Sequence, residues 1–220
     1  PLPLIGGLFG GGADALDPFA QHRAGVKWQL AKLPHVQADE GPKLVFAHIL
    51  TPHPPFVIGP GGEDLKPDYE FSLQEREAWD GYVEGYAGQA TWVAGELKSV
   101  VDGILAASRR PPVIIVMGDH GPASKWLESW RRTGGFGTTD AAVLTERLSI
   151  FLALFLPEGD GGEVYDELTP VNLFPLVYER IFGESFEPRP DKSYFATYED
   201  WAAFRDADRL MRAGSRRLGK

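Results

Sequence analysis

The chain has 220 residues, of which 43% are apolar, so it can bury a sizeable core, and one domain is the default expectation. Its 22 basic and 31 acidic residues leave a net charge of −9, which argues against a general nucleic-acid-binding protein because phosphate-binding surfaces are basic. Cysteine is absent, which excludes disulfide bonds, thiolate metal sites and a cysteine nucleophile.

The first predicted helix opens at Asp17-Pro18, where the aspartate is a typical N-cap and the proline suits the first turn. This helix is expected to end near Leu33. Residues 43–50 then predict a strand that leads into a proline-rich loop.

The longest periodic segment covers residues 72–109. Ser72 and Glu75 fit a capping box, and apolar residues follow at spacings of three and four. This pattern predicts one amphipathic helix of about 30 residues, with a kink expected near Gly81 or Gly85, whose apolar stripe faces the core.

Residues 113–117 form a continuous apolar run with the length and β-branched content of a strand that is buried on both faces, and residues 148–156 form a second continuous apolar run. Thr169-Pro170 then predicts another helix start. The order of these elements predicts an α/β fold with a layered α/β/α, mostly parallel sheet.

The predicted organisation is a Gly-rich loop or linker at residues 1–16, followed by a single α/β domain at 17–220 with a basic tail at 205–220. The tail is most simply a solvated helix with a frayed end. The predicted core consists of apolar residues from the strands and helices: Val45, Ile49, Val93, Val100, Ile104, Ile114, Val116, Ile150, Leu152, Leu154, Val177 and Ile181.

The run at residues 113–117 stops at Asp119 and His120, which stand between two glycines. Open α/β sheets bind ligands just beyond the carboxyl ends of their strands. A carboxylate beside an imidazole suits a divalent ion such as zinc or manganese. The alternative is a turn in which Asp119 caps the next helix and His120 is satisfied within the core.

The remaining histidines differ in their surroundings. His53 stands in the sequence Pro-His-Pro-Pro-Phe, where the prolines would hold its ring in place for catalysis, although an ordinary loop histidine is the alternative. His48 is interpreted as a packed, hydrogen-bonded core residue. His22 and His35 are interpreted as surface or packing residues.

Four motifs occur in the same order and at similar spacing in one group of enzymes. They are Phe-Ala-His-Ile-Leu-Thr-Pro-His-Pro-Pro-Phe at 46–56, Pro-Pro-Val-Ile-Ile-Val-Met-Gly-Asp-His-Gly-Pro at 111–122, Glu-Arg at 146–147 and Thr-Pro-Val-Asn-Leu-Phe at 169–174. With these motifs, the chain resembles the sulfatase-like hydrolases and transferases of the alkaline phosphatase superfamily over residues 20–197. The resemblance is to bacterial membrane-anchored members, relatives of lipoteichoic acid synthases and phosphoethanolamine transferases.

The resemblance implies metal-dependent attack on a phosphate or sulfate ester through a covalent intermediate, with Asp119 and His120 as ligands of zinc or manganese. His53 would contact the phosphoryl or sulfuryl oxygens or protonate the leaving group. Arg147 would bind the substrate, pair with an acidic residue near the site, or cap a strand edge. An extracytoplasmic domain of a bacterial membrane-anchored protein is also implied.

Three parts of such an active site are not found in the sequence. No strand ends in the family's acidic metal ligand, the nucleophile is missing, and no histidine follows His120. Because three protein ligands usually hold a catalytic ion, the chain is expected to be the C-terminal portion of such an enzyme and inactive by itself. A start at Pro1 without methionine agrees with this expectation. Its partners would be the ester substrate, lipid- or glycan-linked, and the N-terminal half of the parent chain.

Two other functions stay open at this point. One is a non-catalytic domain on the same fold that recognises an anionic glycan, a lipid headgroup or a protein partner. The other is a structural piece whose exposed sheet edge pairs with a separate N-terminal fragment or, by self-association, with another copy. No nucleic-acid partner is expected.

Overall fold

A computed structural model of the chain describes its residues in seven ranges: 17–38, 41–74, 80–133, 140–157, 165–183, 185–196 and 200–218. Within these ranges the fold is mixed α/β, as predicted, with six α-helices and two small antiparallel sheets. The chain divides into two compact units, Pro1–Arg109 and Arg110–Lys220. The single domain at 17–220 stays a prediction, and the predicted linker at 1–16 lies outside the described residues.

The N-terminal unit contains two long helices, α1 (Pro18–Lys32) and α2 (Tyr82–Ala107). The predicted start of α1 is confirmed, because the Asp17 carboxylate accepts a hydrogen bond from the Phe19 backbone N–H at 3.0 Å. A short 3-10 helix (Leu33–Ala38) follows α1.

Helix α2 begins later than its sequence pattern predicts. Ser72 accepts a hydrogen bond from the Gln74 backbone N–H at 3.0 Å in a local turn and starts no helix. Glu75, the other half of the predicted capping box, lies outside the described residues. Gly81 stands immediately before the helix with a φ of 81°, a left-handed conformation that an α-helix cannot contain. Among the described residues, helix α2 therefore begins at Tyr82.

The core of the N-terminal unit forms where α1 and α2 pack around residues 56–58. Val57 and Ile58 are almost completely buried, although they belong to a loop. The buried core residues are Phe19, Val26, Leu30, Val57, Ile58, Val93 and Val100.

The prediction of a strand at residues 43–50 is wrong. Residues 43–50 pair with no strand in the part of the chain that the structure describes. Leu44 and Phe46 are 93% and 89% exposed, and Val45 is 46% exposed. A strand needs a neighbour for its N–H and C=O groups, and an apolar run cannot supply that neighbour itself. Only Ile49, at the end of the segment, packs against the core.

The C-terminal unit contains the two other predicted strands, which form shorter segments, β1 (Ile114–Met117) and β2 (Leu152–Phe155). They pair antiparallel, with Ile114 opposite Phe155. Between them the chain forms α3 (Ser124–Thr133) and α4 (Ala141–Leu148).

The direction of this pair follows from the connection between the strands. Helix α4 brings the chain back to the end of β1, where the Gly118 N–H donates a hydrogen bond to the Phe151 carbonyl at 3.0 Å. Strand β2 therefore starts beside the end of β1 and runs in the opposite direction. An apolar run indicates that a strand is buried, but it does not indicate in which direction the strand runs. The mostly parallel sheet that was predicted from these runs is not found within the described ranges.

Helix α5 (Pro170–Phe182) begins at the predicted Thr169-Pro170 and packs on the β1–β2 pair through Leu173 and Val177. Thr169 does not cap its own helix. Its hydroxyl donates to the Asp191 carboxylate at 2.5 Å and its backbone N–H donates to the same carboxylate at 2.8 Å.

Asp191 also accepts hydrogen bonds from the Tyr165 hydroxyl at 2.5 Å and from the Asn172 amide at 3.0 Å. Burial raises the pKa of the Asp191 carboxyl, but the hydrogen bonds, above all those from Thr169, hold the pKa below its ordinary value. The start of α5 is thus stabilised by an ionised carboxylate from a distant loop.

The last two described ranges, 185–196 and 200–218, contain a two-residue pair, β3 (Tyr194–Phe195) with β4 (Arg205–Asp206), and helix α6 (Ala207–Leu218). Strand β4 and helix α6 therefore occupy most of the predicted basic tail. Helix α4 packs against both α3 and α6. Among the described residues, no helix combines the length and apolar character needed to cross a membrane.

The predicted core is confirmed at three of its twelve residues. Val93, Val100 and Val177 are buried. The prediction is wrong for Val45 and Ile181, which are 46% and 38% exposed. Val45 belongs to the unpaired segment at residues 43–50, and Ile181 lies in the last turn of α5. The other predicted core residues are half-buried: Ile49, Ile104, Ile114, Val116, Ile150, Leu152 and Leu154.

Candidate functional site

Asp119 and His120 lie in the loop that follows β1, at the end of a strand as the sequence predicts. The Asp119 side chain is 73% exposed, whereas that of His120 is 35% exposed. Both side chains therefore reach solvent. Asp119 does not cap the next helix, since its Oδ1 accepts a hydrogen bond from the adjacent His120 N–H at 3.1 Å.

The His120 ring has a defined orientation. Its Nδ1 lies 3.0 Å from the carbonyl oxygen of Gly121. Because a carbonyl oxygen can only accept, this contact places a proton on Nδ1, and in the neutral ring the lone pair is then on Nε2. Metal-binding histidines commonly use one ring nitrogen in this way to orient the other.

The second ring nitrogen faces the Asp119 carboxylate. His120 Nε2 lies 3.7 Å from Asp119 Oδ2. A tetrahedral zinc ion bound at about 2.0–2.1 Å to a nitrogen and an oxygen separates these two donors by about 3.4 Å. The observed separation is therefore close to the one that two ligands of a single ion require.

Gly121 anchors this loop against the end of α4. Its N–H donates a hydrogen bond to the Arg147 carbonyl at 2.7 Å. A Cβ atom on this residue would lie 1.9 Å from the Glu146 carbonyl oxygen and 2.6 Å from that of Ser149, both of which belong to the main chain. Only glycine fits here without movement of the backbone.

Glu146 stabilises the start of α3, just after the loop. Its carboxylate accepts hydrogen bonds from the Ser124 hydroxyl and, at 2.7 Å, from the Lys125 backbone N–H. A carboxylate at a helix N-terminus satisfies unpaired N–H groups and interacts favourably with the helix dipole. Sequence analysis noted Glu146 as part of a motif and assigned it no contact.

Arg147 contacts the same loop. Its guanidinium donates a hydrogen bond to the Gly121 carbonyl oxygen at 3.0 Å. The structure therefore brings Asp119, His120 and Arg147 together, with Arg147 directed at the main chain of the loop. Substrate binding by Arg147 stays a prediction.

His53 belongs to the N-terminal unit and is half-buried in its proline-rich loop. Its Nδ1 lies 2.6 Å from the Pro54 carbonyl oxygen, so this histidine also carries a proton on Nδ1. The peptide bonds Thr51–Pro52 and Pro54–Pro55 are cis, and Pro54 and Pro55 are fully buried. The ring therefore stands on a well-packed loop.

Gln89 on α2 holds this loop in place, which sequence analysis missed. The Gln89 side chain is buried, its Oε1 accepts from the N–H groups of Val57 and Ile58 at 3.0 and 3.2 Å, and its Nε2 donates to the His53 carbonyl at 3.1 Å. The sequence signal that could have identified Gln89 is its position as a polar residue within the apolar stripe of α2. A polar residue in such a position is buried only when it has hydrogen-bond partners.

His22 on α1, which the sequence indicated as a surface or packing residue, is half-buried. Burial, and then the charge of His53, lower the pKa of the His22 imidazole below its ordinary value, although a hydrogen bond with the Leu50 main chain acts in the opposite direction. The Nε2 atom of His22 is buried and has no hydrogen-bond partner among the described residues. No local pattern in the sequence links His22 to the distant His53 loop.

The candidate metal ligands within the described residues are a pair, Asp119 and His120. Within the described ranges, no three His, Asp or Glu side chains come together in a group that could hold a metal ion. The chemistry and separation of Asp119 and His120 fit two ligands of zinc or manganese, and a catalytic ion usually has three.

Comparison of the chain with protein-family models, with curated proteins and with solved structures gives no match. The resemblance to sulfatase-like enzymes thus stays a prediction from the motifs.

Proposed function

We propose that this chain is the C-terminal part of a metal-dependent, sulfatase-like enzyme that hydrolyses or transfers phosphate or sulfate esters. Asp119 and His120 are two of its metal ligands, and the nucleophile lies outside this chain. The observation that supports this most strongly is the 3.7 Å between His120 Nε2 and Asp119 Oδ2, with the His120 proton directed at the Gly121 carbonyl.

The surroundings of the pair also support a built site. The loop is attached to the end of α4 through both polar groups of the Gly121 main chain. Ligands that are already oriented lose little conformational entropy when the ion binds. An ordinary surface turn needs no such attachment.

Each residue has a distinct task in the proposed reaction. A bound zinc or manganese ion supplies positive charge that activates a nucleophile and stabilises the transferring group. Asp119 and His120 hold that ion. We propose that His53, whose Nδ1 proton is directed at Pro54, would in its imidazolium form give its Nε2 proton to the leaving-group oxygen and become the neutral ring.

The proposal extends to the parent protein. We propose that its complete domain has a layered, mostly parallel sheet in which the antiparallel β1–β2 pair is one part, since mixed sheets are common in large α/β domains. The parent is proposed to be a membrane-anchored bacterial protein with an extracytoplasmic catalytic domain. A lipid- or glycan-linked ester is its proposed substrate.

Activity of the full-length parent tests this function. With aryl phosphate and aryl sulfate esters as substrates and zinc or manganese present, one ester class is expected to be cleaved. Asp119→Asn and His120→Gln should each lower kcat/KM by more than about 100-fold, because each removes a metal ligand. His53→Gln should lower kcat by about 100- to 10,000-fold, the usual range for a general acid.

His35→Gln is the matched control, because His35 is an exposed histidine outside the proposed site. It should retain the activity of the unmodified parent. Turnover close to normal in Asp119→Asn or His120→Gln, with the protein folded, would overturn the proposed ligand role.

A further inference from the structure

The Gly121 carbonyl oxygen receives two hydrogen bonds from different side chains. His120 Nδ1 lies 3.0 Å from it, and the Arg147 guanidinium donates to it at the same distance of 3.0 Å. A carbonyl oxygen has two lone pairs and can accept both bonds. Arg147 and His120 are therefore linked through a single main-chain atom.

The remaining polar group of Gly121 is also bonded to Arg147. The Gly121 N–H donates to the Arg147 main-chain carbonyl at 2.7 Å. Glycine has no side chain to restrict its own backbone, so these two contacts with one residue determine the orientation of its amide groups. Without the guanidinium, the Gly121 carbonyl could turn toward water.

We infer that Arg147 is a positioning residue that orients the His120 ring and selects its tautomer through the Gly121 carbonyl. Imidazole in water favours the proton on Nε2, which would occupy the nitrogen that faces Asp119. The carbonyl that Arg147 holds in place instead retains the proton on Nδ1, and Nε2 keeps the lone pair. The orientation of His120 by Arg147 does not depend on the proposed function. Its purpose, which is to prepare a metal ligand, rests on the proposed function.

This positioning role of Arg147 differs from the predicted binding of substrate. A guanidinium directed at a main-chain carbonyl acts on the loop, whereas a substrate-binding arginine acts on the phosphoryl or sulfuryl oxygens. The two roles differ in a property that can be measured without substrate or metal.

Nitrogen-15 NMR of the histidine side chains tests the inference on the metal-free chain at alkaline pH. In the unmodified chain, the two-bond correlations of His120 are expected to show the proton on Nδ1. Arg147→Met retains an unbranched aliphatic side chain but removes the guanidinium, so His120 should shift toward the Nε2-protonated form. Arg147→Gln, whose side chain is shorter, is measured in the same way and should give the same shift, including where Arg147→Met does not fold.

The matched control is Arg23→Met, because the Arg23 guanidinium also donates to a main-chain carbonyl, that of Leu65, at 2.9 Å in the other unit. It should leave the His120 spectrum unchanged. Zinc affinity is measured in parallel, and loss of the Arg147 guanidinium should weaken it by about 10- to 100-fold, the usual effect of removing a residue that orients a ligand.

The outcomes separate this inference from the proposed function. Nε2 protonation of His120 in the unmodified chain, or an unchanged tautomer in a folded Arg147 variant, would overturn the inference. If the tautomer shifts as expected but the unmodified chain binds no zinc, Arg147 positions His120 and the proposed metal site is wrong.

Discussion

Gly121→Ala is expected to destabilise the C-terminal unit by about 3 kcal/mol, at the upper end of the usual cost of overpacking. The new methyl group would lie 1.9 Å from the Glu146 carbonyl oxygen, and no side-chain rotation can relieve a clash with the main chain. The loop must move away from α4, so the Asp119–His120 pair should also lose its arrangement and its zinc affinity. Urea unfolding followed by hydrogen exchange of β1 and β2 measures the change.

Gly95→Ala in α2 is the matched control for this substitution. A Cβ atom on Gly95 meets nothing within 4 Å, and the residue lies inside a helix. The same change should therefore stabilise the N-terminal unit by about 0.5–1 kcal/mol. A Gly121→Ala chain within about 0.5 kcal/mol of the unmodified protein would contradict the close packing of the loop on α4.

Gln89→Leu is expected to destabilise the N-terminal unit by about 4 kcal/mol. Leucine fills a similar volume, but it leaves the buried N–H groups of Val57 and Ile58 and the His53 carbonyl without their partner, at about 1–3 kcal/mol for each buried group. Thermal unfolding of the chain and hydrogen exchange at Val57 and Ile58 measure the loss. The His53 loop should exchange faster as well.

Gln29→Leu is a control of the same chemical kind in the same unit. The Gln29 side-chain amide donates to the His48 carbonyl at 3.3 Å in an exposed position, where water can replace it. The expected change is below about 0.5 kcal/mol. Equal effects of the two substitutions would show that Gln89 does not support the His53 loop in the way described.

The features predicted correctly from the sequence depend on neighbours along the chain. Asp17 and Thr169, each followed by a proline, mark the starts of α1 and α5, because the proline suits a first helical turn and, at α1, the Asp17 side chain caps its own helix. Asp119 and His120 follow a strand because five apolar residues end abruptly at Gly118. Such signals need no knowledge of what packs against them.

The features that the sequence did not reveal depend on distant partners. The antiparallel direction of β2 follows from the return of α4 to the end of β1, and residues 43–50 lack a neighbouring strand in the described structure. Likewise, Gln89 and Arg147 act by hydrogen bonds to main-chain atoms of remote loops. Residue type and spacing do not specify which loop a side chain will reach.

Zinc binding by the chain tests the central claim, that Asp119 and His120 are ligands of one metal ion, most directly. Isothermal titration gives the affinity, and X-ray absorption of the bound ion gives its ligands. The chain is expected to bind zinc through a nitrogen and an oxygen at about 2.0–2.2 Å. Asp119→Asn and His120→Gln should each weaken binding by more than about 10-fold, and His35→Gln should not. Equal zinc affinity in all four proteins would contradict the claim.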